Sequence, residues 1–237
     1  MADQDLLFAN DARRMQLEPI LAAERDFALS EANHRISNNL ALLSSAVGIR
    51  AQEISNRKRD LSSEEVSLIL GEVSARISAV AWLHRFLSKE PDAACLDLGD
   101  HLYELCETLI SALADPERIV LVRTGAEQCV VGTGSMVPLC LIVTEVVTNS
   151  LKYAHPTHVA GTLAIGCHRD PAGSLVVEIA DDGVGLPEGF DLLADGGTGA
   201  RPIRVLARQL DAEVTVDSRP IGLSFRLRLP AGGAMQA

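Results

Sequence analysis

Apolar positions in the first third of the chain recur with the period of a helix. Across residues 30–56 (SEANHRISNNLALLSSAVGIRAQEISN), Ile36, Leu40, Leu43, Val47 and Ile54 follow one another at gaps of four, three, four and seven. That is a heptad-like seam. Residues 3–30 are rich in Leu, Ala, Glu and Arg and lead into it as helix, with a possible kink at Pro19. Residues 57–63, RKRDLSS, form a polar turn, and Ser62 or Ser63 followed by Glu64 and Glu65 has the form of a helix N-cap with acids in the first turn. A second amphipathic helix follows over 64–88, with Val66, Ile69, Val73, Ile77, Val80, Leu83 and Leu87 at gaps of three and four. Two long helices joined by a short turn predict an antiparallel hairpin. Its apolar stripe is wider than one partner helix covers, so the pattern predicts dimerisation into a four-helix bundle.

The pattern changes after Glu90–Pro91–Asp92, which marks a boundary between residues 1–90 and 95–230. A helix is predicted over 99–114. Short strands are predicted over 118–124 and 128–132, with a turn at Gly125. A long, mostly apolar helix is predicted over 135–154. Strands over 162–169 and 174–181 are joined at Asp170–Gly173, and a glycine-rich loop spans 182–199. A helix over 200–210 and strands over 212–217 and 223–229 complete the chain. The fold class is α+β: the helical hairpin, then a sandwich of strands and helices.

Composition narrows the classes. The chain is 47% hydrophobic but only 3% aromatic, so its core is built from Leu, Val, Ile and Ala. A net charge of −11 argues against nucleic acid or an anionic membrane as partner. The five cysteines show no CxxC and no matching histidine pairs, so they are expected to pack as small hydrophobes in a reducing cytoplasm. No stretch is expected to reach the roughly 20 apolar residues that span a bilayer. The N-terminal residues carry early acids and lack the pattern of a signal peptide. A soluble cytoplasmic protein is expected. Residues 3–30 are too few for a sensory domain, so the stimulus is expected from another molecule.

Several side chains stand out against this background. His34 lies off the seam, about 100° round the helix from the seam position, with Asn38 one turn later on the same strip. An accessible histidine beside a dimer seam suits phosphorylation; a surface histidine on a packing helix fits the same spacing. Glu145, Asn149 and Lys152 fall at gaps of four and three on one face of an otherwise apolar helix. Buried there without partners they would be costly, and a magnesium–phosphate group supplies partners. An amide oxygen of Asn149 suits Mg²⁺, Lys152 neutralises phosphate, and Glu145 could orient water or act as a base. A polar stripe facing solvent is the alternative. Asp181–Asp182–Gly183–Val184–Gly185 follows a strand and permits a tight turn and close approach to a ligand, though such turns are common. Gly196–Gly197–Thr198–Gly199 opens a helix whose free N–H groups suit phosphate, with Arg201 nearby. An ordinary helix cap has the same form.

The order of these motifs resembles the sensor histidine kinases, in the branch whose phosphoacceptor motif reads H-R-x-x-N-N. HRISNNLALLSS matches that motif. TEVVTNSLKYAHP looks like the family's N box, ADDGVGL its G1 box, GGTGARPIRVLARQL its G2 box, and GLSFRLRLP its final strand. The resemblance covers about residues 30–230. It implies a dimeric phosphoacceptor hairpin followed by an α/β-sandwich ATP-binding domain of the gyrase, chaperone and histidine kinase type. It further implies that His34 attacks the γ-phosphate of ATP, that Asn149 holds Mg²⁺ and Lys152 the phosphates, and that Asp181 takes the adenine amino group. Gly183 and Gly185 would pass close to the base, and Gly197 and Gly199 would bind phosphate. The partners it implies are a response regulator, a separate sensor protein and a second copy of the chain.

Some residues depart from the usual pattern. Arg35 follows the histidine where an acid is common, as it does throughout this branch, so the hydrogen-bond partner of His34 is not obvious. Ala200–Arg201–Pro202 replaces the leucine that usually follows the second glycine, although Pro202 suits a first helical turn. The loop between Gly185 and Gly197 is short. Three other functions share parts of this architecture: a histidine phosphotransferase with a vestigial ATP domain, a non-catalytic dimeric adaptor for a response regulator, and a serine kinase of the anti-sigma type. The intact Glu145, Asn149, Lys152 and Asp181 favour the kinase.

Overall fold

The computed structural model describes residues 44, 47–48, 51–52, 54–55, 60–89, 95–115, 117–125, 129–155, 159–195 and 197–231. The chain divides into two compact units, Met1–Ser44 and Ser45–Ala237. His34 and Asn38 lie outside the described residues, as does the predicted kink at Pro19. The described residues between 44 and 55 are all helical.

Helix α1 spans Ser63–Lys89. Ser62 caps it: the Glu65 N–H donates to Ser62 Oγ at 3.2 Å, and the Ser62 N–H donates to Glu65 Oε2 at 3.0 Å. This reciprocal pair satisfies two backbone donors that a helix start leaves open. α1 has two different faces. Ala75, Arg76 and Ala79 are buried against the rest of the unit. On the far side, Val66, Leu70 and Ile77 are exposed, Leu70 at 62% and Ile77 at 54%. Of the apolar stripe read from the sequence, Val66 and Ile77 are exposed, Ile69 and Val73 are half-buried, and Val80 packs against the core.

Strand β1 (Cys95–Asp97) is three residues long and was not anticipated. It pairs antiparallel with β3 (Val130–Gly132). Between them come α2 (Leu98–Leu113) and β2 (Ile119–Thr124). Asp97 caps α2, its Oδ1 accepting the Gly99 N–H at 3.0 Å. The segments on either side of Gly125 do not pair with each other. β2 instead pairs in parallel with β4 (Gly161–Arg169), which requires the intervening helix α3 (Thr133–Tyr153) as a crossover. β4 and β5 (Leu175–Asp181) form the expected hairpin. A short helix α4 (Leu192–Asp195) interrupts the loop read as 182–199, and α5 begins at Gly197 and runs to Gln209. β6 (Glu213–Ser218) and β7 (Leu223–Leu229) close the chain. The larger sheet has the order β2-β4-β5-β7-β6.

The helices cover one face of this sheet. Leu102, Leu105 and Leu109 of α2, Leu139, Ile142 and Val146 of α3, and Ile203 and Leu206 of α5 meet Leu163, Ile165, Val177, Ile179 and Phe225 in one core. α3 supplies the centre of it. The segment Gly134–Tyr153 is long and apolar enough to cross a membrane, which corrects the expectation that no stretch reaches that length; most of it is buried within the fold. The other sheet face carries charge pairs, including Arg226 to Glu178 at 2.9 Å and Arg228 to Asp170 at 2.7 Å. Cys106, Cys129, Cys140 and Cys167 are buried and joined by no disulfide, and burial pushes the Cys140 thiol up to about 12. They pack as small hydrophobes, as the sequence suggested.

Candidate active site

The site is built where the C-terminal half of α3 meets the end of β5. Asp181 is the last residue of that strand and is buried. Both of its carboxylate oxygens are held: Ser150 Oγ donates to Oδ2 at 2.7 Å, and the Gly183 N–H donates to Oδ1 at 3.1 Å. Each oxygen keeps a second lone pair for a ligand donor. Ser150 was not singled out in the sequence. Its signal is faint: one of the two hydroxyls, with Thr148, that flank Asn149 on a mostly apolar helix.

The loop after Asp181 is clamped by the protein's own backbone. A Cβ on Gly183 would overlap the carbonyl and side chain of Ala154, at the end of α3. The Val184 N–H donates to that same Ala154 carbonyl at 2.8 Å. Gly185 has φ 68°, and a Cβ there would meet the Arg219 carbonyl in the β6–β7 turn. Both glycines thus permit close approach, and the surface approached within this structure is protein. Asp182 faces the other way. Its Oδ1 accepts the Thr162 N–H at 2.7 Å and lies 2.7 Å from His155 Nε2. Burial alone would raise the Asp182 carboxyl, but the hydrogen bonds from Thr162 and His155 outweigh it and hold the group below the usual carboxylate range. His155 and Asp182 tie the end of α3 to the start of β4.

Along α3 the three polar residues are divided. Glu145 is buried and takes a bidentate ion pair from Arg76 of α1, with Nε to Oε1 at 2.5 Å and Nη2 to Oε2 at 2.8 Å. Its partner in this structure is therefore a guanidinium from the second predicted hairpin helix, 69 residues away in sequence. Asn149 is half-buried one turn on. Lys152 Nζ lies 3.4 Å from the Tyr153 hydroxyl and 5.1 Å from the centre of that ring. Thr148 Oγ1 is buried without a hydrogen-bond partner among the described residues. Gly197 and Gly199 lie in the first turn of α5, whose buried Ile203, Leu206 and Ala207 join the same core as α3. Arg201 is exposed on that turn, and Asp191 accepts the Leu193 N–H at 2.8 Å to cap α4.

The donor set suits a magnesium nucleotide. Among the described residues no group of three or more His, Cys, Asp or Glu gathers to cage a metal. Mg²⁺ bound with phosphate needs only one or two protein oxygens, the rest coming from phosphate and water. The Asn149 amide can supply one. The unpartnered Thr148 hydroxyl beside it is a second polar atom in want of a hydrogen bond.

The family profile described as Histidine kinase matches residues 31–113. That described as Histidine kinase-, DNA gyrase B-, and HSP90-like ATPase matches residues 134–233. The chain belongs to the histidine kinases. Within that family, the sensor histidine kinase PdtaS of Mycobacterium tuberculosis is 28% identical over 212 residues, which is 88% of this chain and 40% of the relative. The blue-light-activated histidine kinase 2 of Erythrobacter litoralis is 26% identical over 216 residues, 90% of this chain and 59% of that protein. The chain thus spans about 40% to 59% of the length of these curated relatives. The fold is that of the histidine kinase domain from the Erythrobacter litoralis EL346 blue-light activated histidine kinase. That comparison has a TM-score of 0.62 and 22% identity, and it covers 81% of this chain and 98% of that one. The Arg76–Glu145 pair joins the two regions matched by the two profiles.

Proposed function

We propose that this histidine kinase transfers the γ-phosphoryl group of MgATP to His34 and then passes it to an aspartate on the receiver domain of a response regulator. A ring nitrogen of His34 attacks phosphorus, the bond to the bridging oxygen breaks, and ADP leaves. Such transfer depends on positioning and charge neutralisation more than on many catalytic groups. Asp181 carries the reading: it is a buried carboxylate at a strand end, fixed through both oxygens and flanked by glycines, within the matched ATPase region. It accepts the adenine amino group. Asn149 holds Mg²⁺, Lys152 and Arg201 meet phosphate, and the N–H groups at Gly197 and Gly199 complete the cradle. Gly183 and Gly185 shape the loop beside the base. Asn38 supports His34 from one turn away.

The exposed Val66, Leu70 and Ile77 of α1 support a homodimer, because an uncovered apolar stripe at heptad spacing favours a helical partner. The residues read as the hairpin, 1–90, and as the ATP-binding domain, 95–230, keep those roles in this proposal. The apolar surface of α3 is spent inside the lobe, which supports a protein that works in the cytoplasm. The stimulus comes from a sensor outside these 237 residues.

One observation favours a second reading. Glu145 is fully engaged by Arg76 and Lys152 leans on Tyr153, as they would in a phosphotransferase that no longer uses ATP. Incubation with γ-labelled MgATP decides between the two. Acid-labile label that vanishes in His34→Ala and in Asn149→Ala supports the kinase. Nucleotide-independent uptake of phosphate from a phosphorylated regulator supports the phosphotransferase, and absence of any nucleotide binding overturns the kinase.

A further inference from the structure

Arg76 and Glu145 make a contact that the phosphoryl-transfer scheme does not use. Arg76 projects from α1, inside the region matched as Histidine kinase, and Glu145 from α3, inside the region matched as an ATPase. The two residues are 9% and 6% exposed. Around them the described side chains of α1 that face the lobe are mostly small. Ala75 and Ala79 of α1 are buried, and a Cβ at Gly71 would lie 3.3 Å from a methyl of Leu113 in α2. Alanine methyls bury little apolar area, and Val80 packs partly buried beside them, so among the described residues of the seat the ion pair is the most specific element. A guanidinium fork matches a carboxylate through two parallel hydrogen bonds. Taking two charges out of water is costly, and leaving either one buried alone costs more. The contact is therefore close to all-or-none: both groups paired, or the seat opened and both hydrated.

Glu145 sits one turn before Asn149 on α3. While Arg76 holds both of its oxygens, the Glu145 carboxylate is fixed and its charge is compensated by the guanidinium rather than by the nucleotide side of the helix. We propose that Arg76 and Glu145 form a latch that seats α1 on the ATP-binding lobe and keeps Glu145 from the nucleotide until the pair parts. Parting frees the lobe to move against the hairpin and frees Glu145 for the transfer step. The latch rests on the kinase reading for its effect on phosphorylation, and on the ion pair alone for its effect on docking. Arg76 is a positioning residue in this scheme, acting through Glu145.

The test uses the full chain with Arg76→Met, which keeps an apolar stem, and Arg76→Lys, which keeps the charge but cannot bridge both oxygens. Hydrogen exchange is followed in α1 around Ala75–Ala79 and in α3 around Glu145, together with MgATP affinity and the initial rate of His34 labelling. Protection is expected to fall in both segments, with affinity unchanged and labelling faster by about fivefold or more. The double exchange Arg76→Glu with Glu145→Arg rebuilds the pair and is expected to restore protection. Unchanged exchange in both single variants overturns the latch, and so does labelling that falls in step with nucleotide affinity. If the parent protein takes up no label from MgATP, the kinase reading fails, while the exchange data still decide whether the pair seats α1.

Discussion

Asp181 shows how much a single side chain depends on its neighbours. Its position after a strand and before Gly183 and Gly185 was legible, because a short strand followed by DxGxG is a local pattern. The fixing of its carboxylate by Ser150 was not, because that hydrogen bond joins residues 31 apart in sequence. Asp181→Asn keeps the shape but replaces one charged acceptor with a donor. Nucleotide affinity is expected to fall about tenfold or more, since hydrogen bonds to charged groups are worth about 1.5–3 kcal/mol. Titration calorimetry with MgATP checks this, and parental affinity in the variant would refute the adenine role. Gly183→Ala puts a methyl into the Ala154 backbone; overpacking of that kind costs about 1–3 kcal/mol, to be read as a lower thermal midpoint. Asp182 predicts a pH effect. Its folded-state carboxyl is held below the ordinary value of 3.8. The stabilisation is therefore present above the unfolded value and lost as pH falls through the folded one. Asp182→Asn is expected to lower the urea midpoint at about pH 7 and to shrink the drop between about pH 7 and about pH 3. An unchanged acid slope would show that His155 and Thr162 do not protect this group.

Among the elements, long periodic segments were readable and short or non-local ones were not. α1, α2 and α3 begin and end within one or two residues of the sequence reading, because repeated apolar spacing and caps are local. β1 has three residues, too few to show alternation. The strands flanking Gly125 were read correctly as strands, but their partners are set by a crossover through α3 that no turn residue announces. α5 starts at Gly197, earlier than expected, because glycine's poor helix propensity is overridden by packing of the helix on the core. The face of α1 that seats on the lobe was legible only at Val80, which packs on the core, and the rest was hidden for a different reason. That remainder is marked by Ala75, Arg76 and Ala79, which an apolar-periodicity search passes over. Its cap was in plain view. Ser62→Ala removes the capping hydroxyl, and about 1 kcal/mol of stability is expected to go with it, measured as a lower urea midpoint with an unchanged slope. No loss would mean that Glu65 alone suffices.

For the whole molecule, the uncovered stripe on α1 is the largest open question that a single measurement closes. Leu70→Glu combined with Ile77→Glu places charge on exposed apolar positions without touching the buried face of α1. Light scattering is expected to show a dimeric parent and a monomeric variant, with MgATP affinity retained because the nucleotide residues lie on α3, β5 and α5. A monomeric parent would remove the four-helix bundle.

The sheet order has a consequence for how the chain is made. β7 lies between β5 and β6, although it follows both of them in the chain. Until residues 223–229 emerge, β5 has an open edge beside Asp181, and the Gly222 N–H cannot reach the Gly183 carbonyl that it meets at 2.6 Å. β2, β4 and β5 can associate before β7 emerges, whereas the loop next to Asp181 is fastened only once β7 is available, seconds later at elongation rates of about 5–20 residues per second. A nascent chain stalled before β7 would therefore carry a formed α3 and an unfastened Asp181 loop, so nucleotide recognition would mature after most of the lobe had already folded.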